Sequence, residues 1–124
     1  MKRLLIAASI ALCSNLVLAD GDLKPQQGGV MAEAKSGHRI ELVVSADMAM
    51  VYLSDHSGNT IESKGSIGEL TLLTGTEKTT ASLTASGTNT LMARGKFKTS
   101  TESKAIVKFT LPGKTEEQVR LKLK

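Results

Sequence analysis

From Arg39 to the C-terminus, apolar residues recur at every second position in short runs separated by turn-forming residues. Ile40, Leu42 and Val44 fall on one face of the run Arg39–Val44. Met48–Leu53 alternates too, with two faces apolar enough for burial, and Glu69–Leu73 is a third run. In Thr80–Ser86, Ala81, Leu83 and Ala85 stand against Thr80, Ser82, Thr84 and Ser86. Ala105, Val107, Phe109 and Leu111 share one face of the next run. Val119, Leu121 and Leu123 share one face of the last, opposite Arg120, Lys122 and Lys124. Successive side chains of a strand point to opposite faces, so this period of two predicts half-buried β-strands and not helices.

The punctuation agrees. Ser57-Gly58-Asn59, Lys64-Gly65, Thr74-Gly75-Thr76, Ser86-Gly87-Thr88-Asn89 and Pro112-Gly113-Lys114 are turn signals. They recur at roughly the 8–12 residue spacing of sandwiches and barrels. Frequent threonine suits half-exposed strands. The expected fold is all-β: a single antiparallel β-sandwich, immunoglobulin-like in outline, of about seven to nine short strands. A small β-barrel is the alternative. The last strand is expected at or near a sheet edge, where its lysines discourage pairing with another chain.

The N-terminus obeys a different pattern. Met1-Lys2-Arg3 is a short positive start, and Leu4–Leu18 is apolar apart from Ser9, Ser14 and Asn15. Val17-Leu18-Ala19 puts small residues where a signal peptidase reads. This layout predicts a cleavable signal helix over residues 1–19, cut after Ala19, and hence export out of the cytoplasm. The apolar stretch is about 15 residues, short of the roughly 20 that span a bilayer. A lipid anchor on Cys13 is disfavoured, because bulky Leu12 precedes it. Cleavage leaves 105 of the 124 residues and removes the only cysteine, so no disulfide staples the domain. Residues 20–28, polar and holding Pro25 and Gly28, read as a flexible leader before a β-domain over 29–124. No membrane span is expected after the signal.

Charge and composition narrow the function classes. Lys2 and Arg3 leave with the signal, so the net charge falls from +4 to +2. The remaining cations are spread along the chain, and the only aromatics are Tyr52, Phe97 and Phe109. A nucleic-acid partner is therefore not expected. Nor is an enzyme: His38 and His56 are the only histidines, and no Gly-x-Ser-x-Gly elbow appears. Asp47 and Asp55 read as turn residues. Zinc needs three or four ligands, which these two histidines and a carboxylate barely reach. Asp55-x-Ser57-x-Asn59 has a faint calcium-loop rhythm but lacks the closing bidentate acid, and a hairpin turn explains it more simply.

One cluster carries chemistry. Met48 and Met50 are two apart on a predicted strand, so their thioethers share a face, and His56 lies in the turn just beyond. Thioether and imidazole suit Cu(I) or Ag(I) better than hard ions. Methionine also fills core gaps, which is the competing explanation. Met31 and Met92 are further thioethers with no placement relative to this pair. The expected N-terminus, Asp20-Gly21-Asp22, lacks the third-place histidine of an amino-terminal Cu(II) chelate.

The chain after Pro25 resembles a group of small exported proteobacterial proteins found beside heavy-metal efflux systems of the resistance-nodulation-division type. The resemblance is carried by Gly28-Gly29-Val30-Met31-Ala32-Glu33-Ala34, Ile40–Val44, Val51-Tyr52-Leu53-Ser54-Asp55-His56, Leu70–Gly75, Gly95-Lys96-Phe97 and Thr110–Gly113. It implies a periplasmic β-domain connected with copper or other heavy-metal handling, and it carries over His56. The group often has a histidine before the Gly-Gly pair, where this chain has Gln27. That departure weakens a site using the leader and leaves Met48, Met50 and His56, with His38 a distant extra. The expected function is a non-enzymatic periplasmic accessory protein binding or delivering Cu(I) or Ag(I), partnered with a periplasmic component of an efflux system. The alternative is a metal-free β-module that docks on an envelope or efflux complex by strand-edge pairing.

Overall fold

The computed structural model describes residues 23–123. The expected signal peptide over residues 1–19, Cys13 and the start of the expected leader lie outside the described residues. Eight strands follow one another: β1 (Val30–Glu33), β2 (Arg39–Val44), β3 (Met48–Ser54), β4 (Ile67–Thr74), β5 (Glu77–Ser86), β6 (Thr90–Arg94), β7 (Lys104–Thr110) and β8 (Glu117–Lys122). Every pairing is antiparallel, and the strands form one sheet in the order β1-β2-β3-β6-β5-β4-β7-β8. The all-β expectation and the strand number hold. The sheet is continuous and curls until β1 lies alongside β8, so the molecule is nearly a barrel rather than clearly a sandwich. β8 stands last in the order, as its lysine-bearing face suggested.

Alternation places the core. Ile40, Leu42, Ala49, Val51, Leu53, Leu70, Leu72, Leu83, Leu91, Ala93, Ala105, Val107 and Phe109 are all buried. Burying the leucine, isoleucine, valine and phenylalanine side chains of this set on one face stabilises the curled sheet by about 1.5–3 kcal/mol each against exposure. β4 and β5 are joined by the two residues Gly75-Thr76, with Thr74 facing Glu77 across the hairpin. A loop that short needs a positive φ, which Gly75 supplies at 63°.

The hairpins do not run in simple sequence order, so two connections cross the barrel ends. Residues 55–66 cross one end from β3 to β4. They are tied down by Ile61 N–H to Leu53 O (3.2 Å) and Ser63 N–H to Thr88 O (2.9 Å). Residues 95–103 cross the other end from β6 to β7, held by Phe97 N–H to Ala46 O (2.9 Å). There Phe97 is buried as a plug. Thr74 Oγ1 contacts the fully buried Ser103 Oγ at 2.7 Å and donates to Lys98 O at 2.8 Å.

β1 and β8 form no backbone ladder with each other. A polar latch spans them at one end: His38 Nδ1 lies 2.7 Å from Glu117 Oε2, and Ser36 Oγ donates to Glu117 Oε1. The buried carboxylate of Glu41 accepts the N–H groups of Gln26 (2.9 Å) and Gln27 (2.7 Å), in the stretch read as a leader, and of Gly29 (2.9 Å) just after it. Glycine at 29 lets the chain run this close to β2, since a Cβ there would collide with the Leu42 carbonyl oxygen.

Candidate functional site

β3 has a strict alternation of exposure: Ala49, Val51 and Leu53 are buried, while Met48, Met50, Tyr52 and Ser54 are half-buried. The inward set belongs to the core, so Met48 and Met50 stand on the outer wall of the barrel. Both thioethers share that face, as the sequence spacing predicts, and neither is core filler.

His56 is elsewhere. It follows the end of β3, with Tyr52 and Ser54 between it and Met50 on the same face. Met50 to Ser54 alone is about 13 Å along a strand at 3.3 Å per residue. The imidazole is anchored instead to β1, with Nδ1 2.8 Å from Glu33 Oε2. Arg39 Nε donates to the other Glu33 oxygen at 3.2 Å. The His56 hydrogen bond holds the Glu33 carboxyl below its usual 4.5; it outweighs the opposing effect of burial, and Arg39 adds to it. The structure brings Met48 and Met50 together and sets His56 in a separate polar cluster on the barrel rim.

His38 is further removed in role. Its Nδ1 faces Glu117, and Ser36 Oγ sits 2.9 Å from the same nitrogen. Hydroxyl and carboxylate therefore meet one ring nitrogen, whereas a Ser–His–acid relay places them on opposite nitrogens. Asp55 accepts the N–H groups of Ser57 and Asn59, each at 2.9 Å. The Asn59 backbone bond leads in drawing its carboxyl below the usual 3.8, opposed by burial. Asp55 closes its own turn, and the faint calcium-loop rhythm is this turn. Among the described residues, no group of three or more His, Cys, Asp or Glu side chains is arranged to hold a metal.

Methionine placement is where sequence reasoning fell short. β6 pairs with β3 so that Met92 is the direct partner of Met50, and Arg94 of Met48. Leu91 and Ala93 are buried and Met92 is half-buried, so Met92 also lies on the outer wall. Three thioethers thus form one patch across β3 and β6. The signal was present in Thr90–Arg94, where Leu91 and Ala93 have the spacing of an inward face. It was masked because the outward residue between them is itself apolar. Met31 is different: its partner on β2 is Glu41, whose partner on β3 is Tyr52. It helps line a groove of about 320 Å³ with Tyr52, Arg39 and Gln27.

No protein-family model, curated protein or solved structure matches the chain. Among the described residues, no helix is long and apolar enough to cross a membrane.

Proposed function

We propose that the protein is an exported periplasmic accessory protein, without enzymatic activity, that carries a soft metal as cargo for heavy-metal efflux. The cargo is Cu(I) or Ag(I), taken up by ligand exchange at thioethers and passed to a periplasmic component of the efflux system. The observation that carries this reading is the half-exposed position of Met48 and Met50 on one outer face of β3. Core methionines would be sealed from solvent. Thioether pairs open to solvent favour soft, low-charge ions over Zn(II) or Ca(II).

The test is titration of Cu(I) under reducing conditions into the processed protein, following the methionine methyl signals by NMR. The double variant Met48→Leu/Met50→Leu is expected to lose at least tenfold in affinity while keeping its fold, since Leu and Met have similar volume. Binding weaker than millimolar, or binding untouched by the double substitution, would overturn the proposal.

The second reading, a metal-free docking module, is favoured by the seam between β1 and β8. Their facing edges lack a shared ladder, which leaves backbone groups for strand pairing with a partner.

A further inference from the structure

We infer that Met92 is the third ligand of the soft-metal site, which makes the site an all-thioether one on the outer wall of β3 and β6 with His56 outside it. The inference rests on the soft-metal reading of Met48 and Met50.

Geometry selects Met92. Residues directly opposite in an antiparallel pair have Cβ atoms about 4.5–5.5 Å apart, and Met92 is directly opposite Met50. Met48 is two residues before Met50 on the same face and diagonal to Met92, within the roughly 7–8 Å that long side chains bridge. The three residues mark the corners of a small triangle, all half-buried, and so both seated on the wall and open to an incoming ion. Three rotatable bonds per side chain let the sulfurs converge without moving the backbone.

The rim supports the same choice. Beyond Met50 the cross-strand neighbour is Val43, beyond Met92 it is Thr84, and opposite Met48 it is Arg94. None of these is a carboxylate or an imidazole, so the patch presents soft sulfur with no charged hard-ion ligand among its direct partners. The Arg94 guanidinium adds a like charge beside a bound cation. That weakens retention and suits a site that must give its cargo up.

His56 and Met31 serve as the contrasts. His56 is beyond the end of the strand and bound to Glu33. Met31 is two strands from β3, about 9–10 Å at the spacing of a sheet. Of the methionines after the signal peptide, three belong to the triangle and Met31 is an internal control.

The deciding experiment is an Ag(I) titration of the processed, unsubstituted protein with the four methionine methyl groups resolved by NMR, repeated at pH 7.5 and 5.5. The methyls of Met48, Met50 and Met92 are expected to shift with one common midpoint while Met31 stays in place. That midpoint is expected to stay within twofold between the two pH values, because thioethers do not titrate there. A histidine ligand competes with protons in this range and would weaken the site at pH 5.5.

Met92→Leu is expected to lower Ag(I) affinity tenfold or more and His56→Ala less than twofold. If Met92 neither shifts nor matters while Met48→Leu/Met50→Leu abolishes binding, the third-ligand assignment is wrong and the soft-metal reading stands. An affinity drop at pH 5.5 abolished by His56→Ala overturns it equally. If no methyl shifts with Ag(I) up to millimolar, the soft-metal reading itself fails.

Discussion

At the scale of single residues, Glu33 and Glu41 show how position overrides type. Each is flanked by apolar residues in the sequence, Ala32 and Ala34 for Glu33 and Ile40 and Leu42 for Glu41. Glu33 is exposed, paired to His56 and Arg39 on the rim. Glu41 is buried because the segment before β1 folds over it and supplies three N–H donors. The depressed Glu33 carboxyl has a consequence for stability against pH. Its charged form is favoured in the folded state, so its contribution is complete above its usual value of 4.5. The contribution is lost as pH falls through the lower folded value. Glu33→Gln is therefore expected to lower the melting temperature modestly at pH 6, with the gap to the wild type closing as pH falls below 4.5. Thermal melts across that range check this, and a gap that widens toward acid would contradict it.

At the scale of elements, the two short strands β1 and β6 escaped recognition for one reason. Each carries a methionine on its outer face, Met31 and Met92, so the apolar–polar alternation that reveals the other strands is erased. The same substitution of sulfur for polarity that hid β6 makes its outer face chemically interesting. β6 is central to the sheet, flanked by β3 and β5, and its inward and outward residues are expected to respond differently. Leu91 is fully buried, and Leu91→Ala should cost about 2–5 kcal/mol through lost burial and a cavity. Met92→Leu is nearly volume-conserving at a half-exposed position and should cost less than about 1.5 kcal/mol. Urea denaturation of the two variants measures both. Comparable losses would mean that Met92 packs as core.

At the scale of the whole molecule, the decisive feature is the seam. The sheet closes on itself except between β1 and β8, where the Ser36–His38–Glu117 latch bridges one end. Removing it with Glu117→Ala should speed amide hydrogen exchange in β1 and β8 while leaving the amides between β4 and β5 unchanged. Uniform acceleration across the sheet would mean that the latch supports global stability and not the seam. The strands from Arg39 onward were legible because each buries one face and a period of two states which face it is. The turns were legible because glycine and asparagine are needed where φ is positive, as at Gly75. Met48 and Met50 sharing a face followed from the same period. Strand order did not follow, because alternation says which face is inward and nothing about which strand is the neighbour. The crossing connections pair β3 with β6 and β4 with β7, contacts that no local pattern encodes. The sequence by itself therefore determined an all-β chain and a pair of thioethers on one strand face. Only the tertiary structure decided that the sheet rolls nearly into a barrel, that His56 belongs with Glu33, and that Met92 stands opposite Met50. These are long-range pairings, set by how the whole sheet buries its inner face.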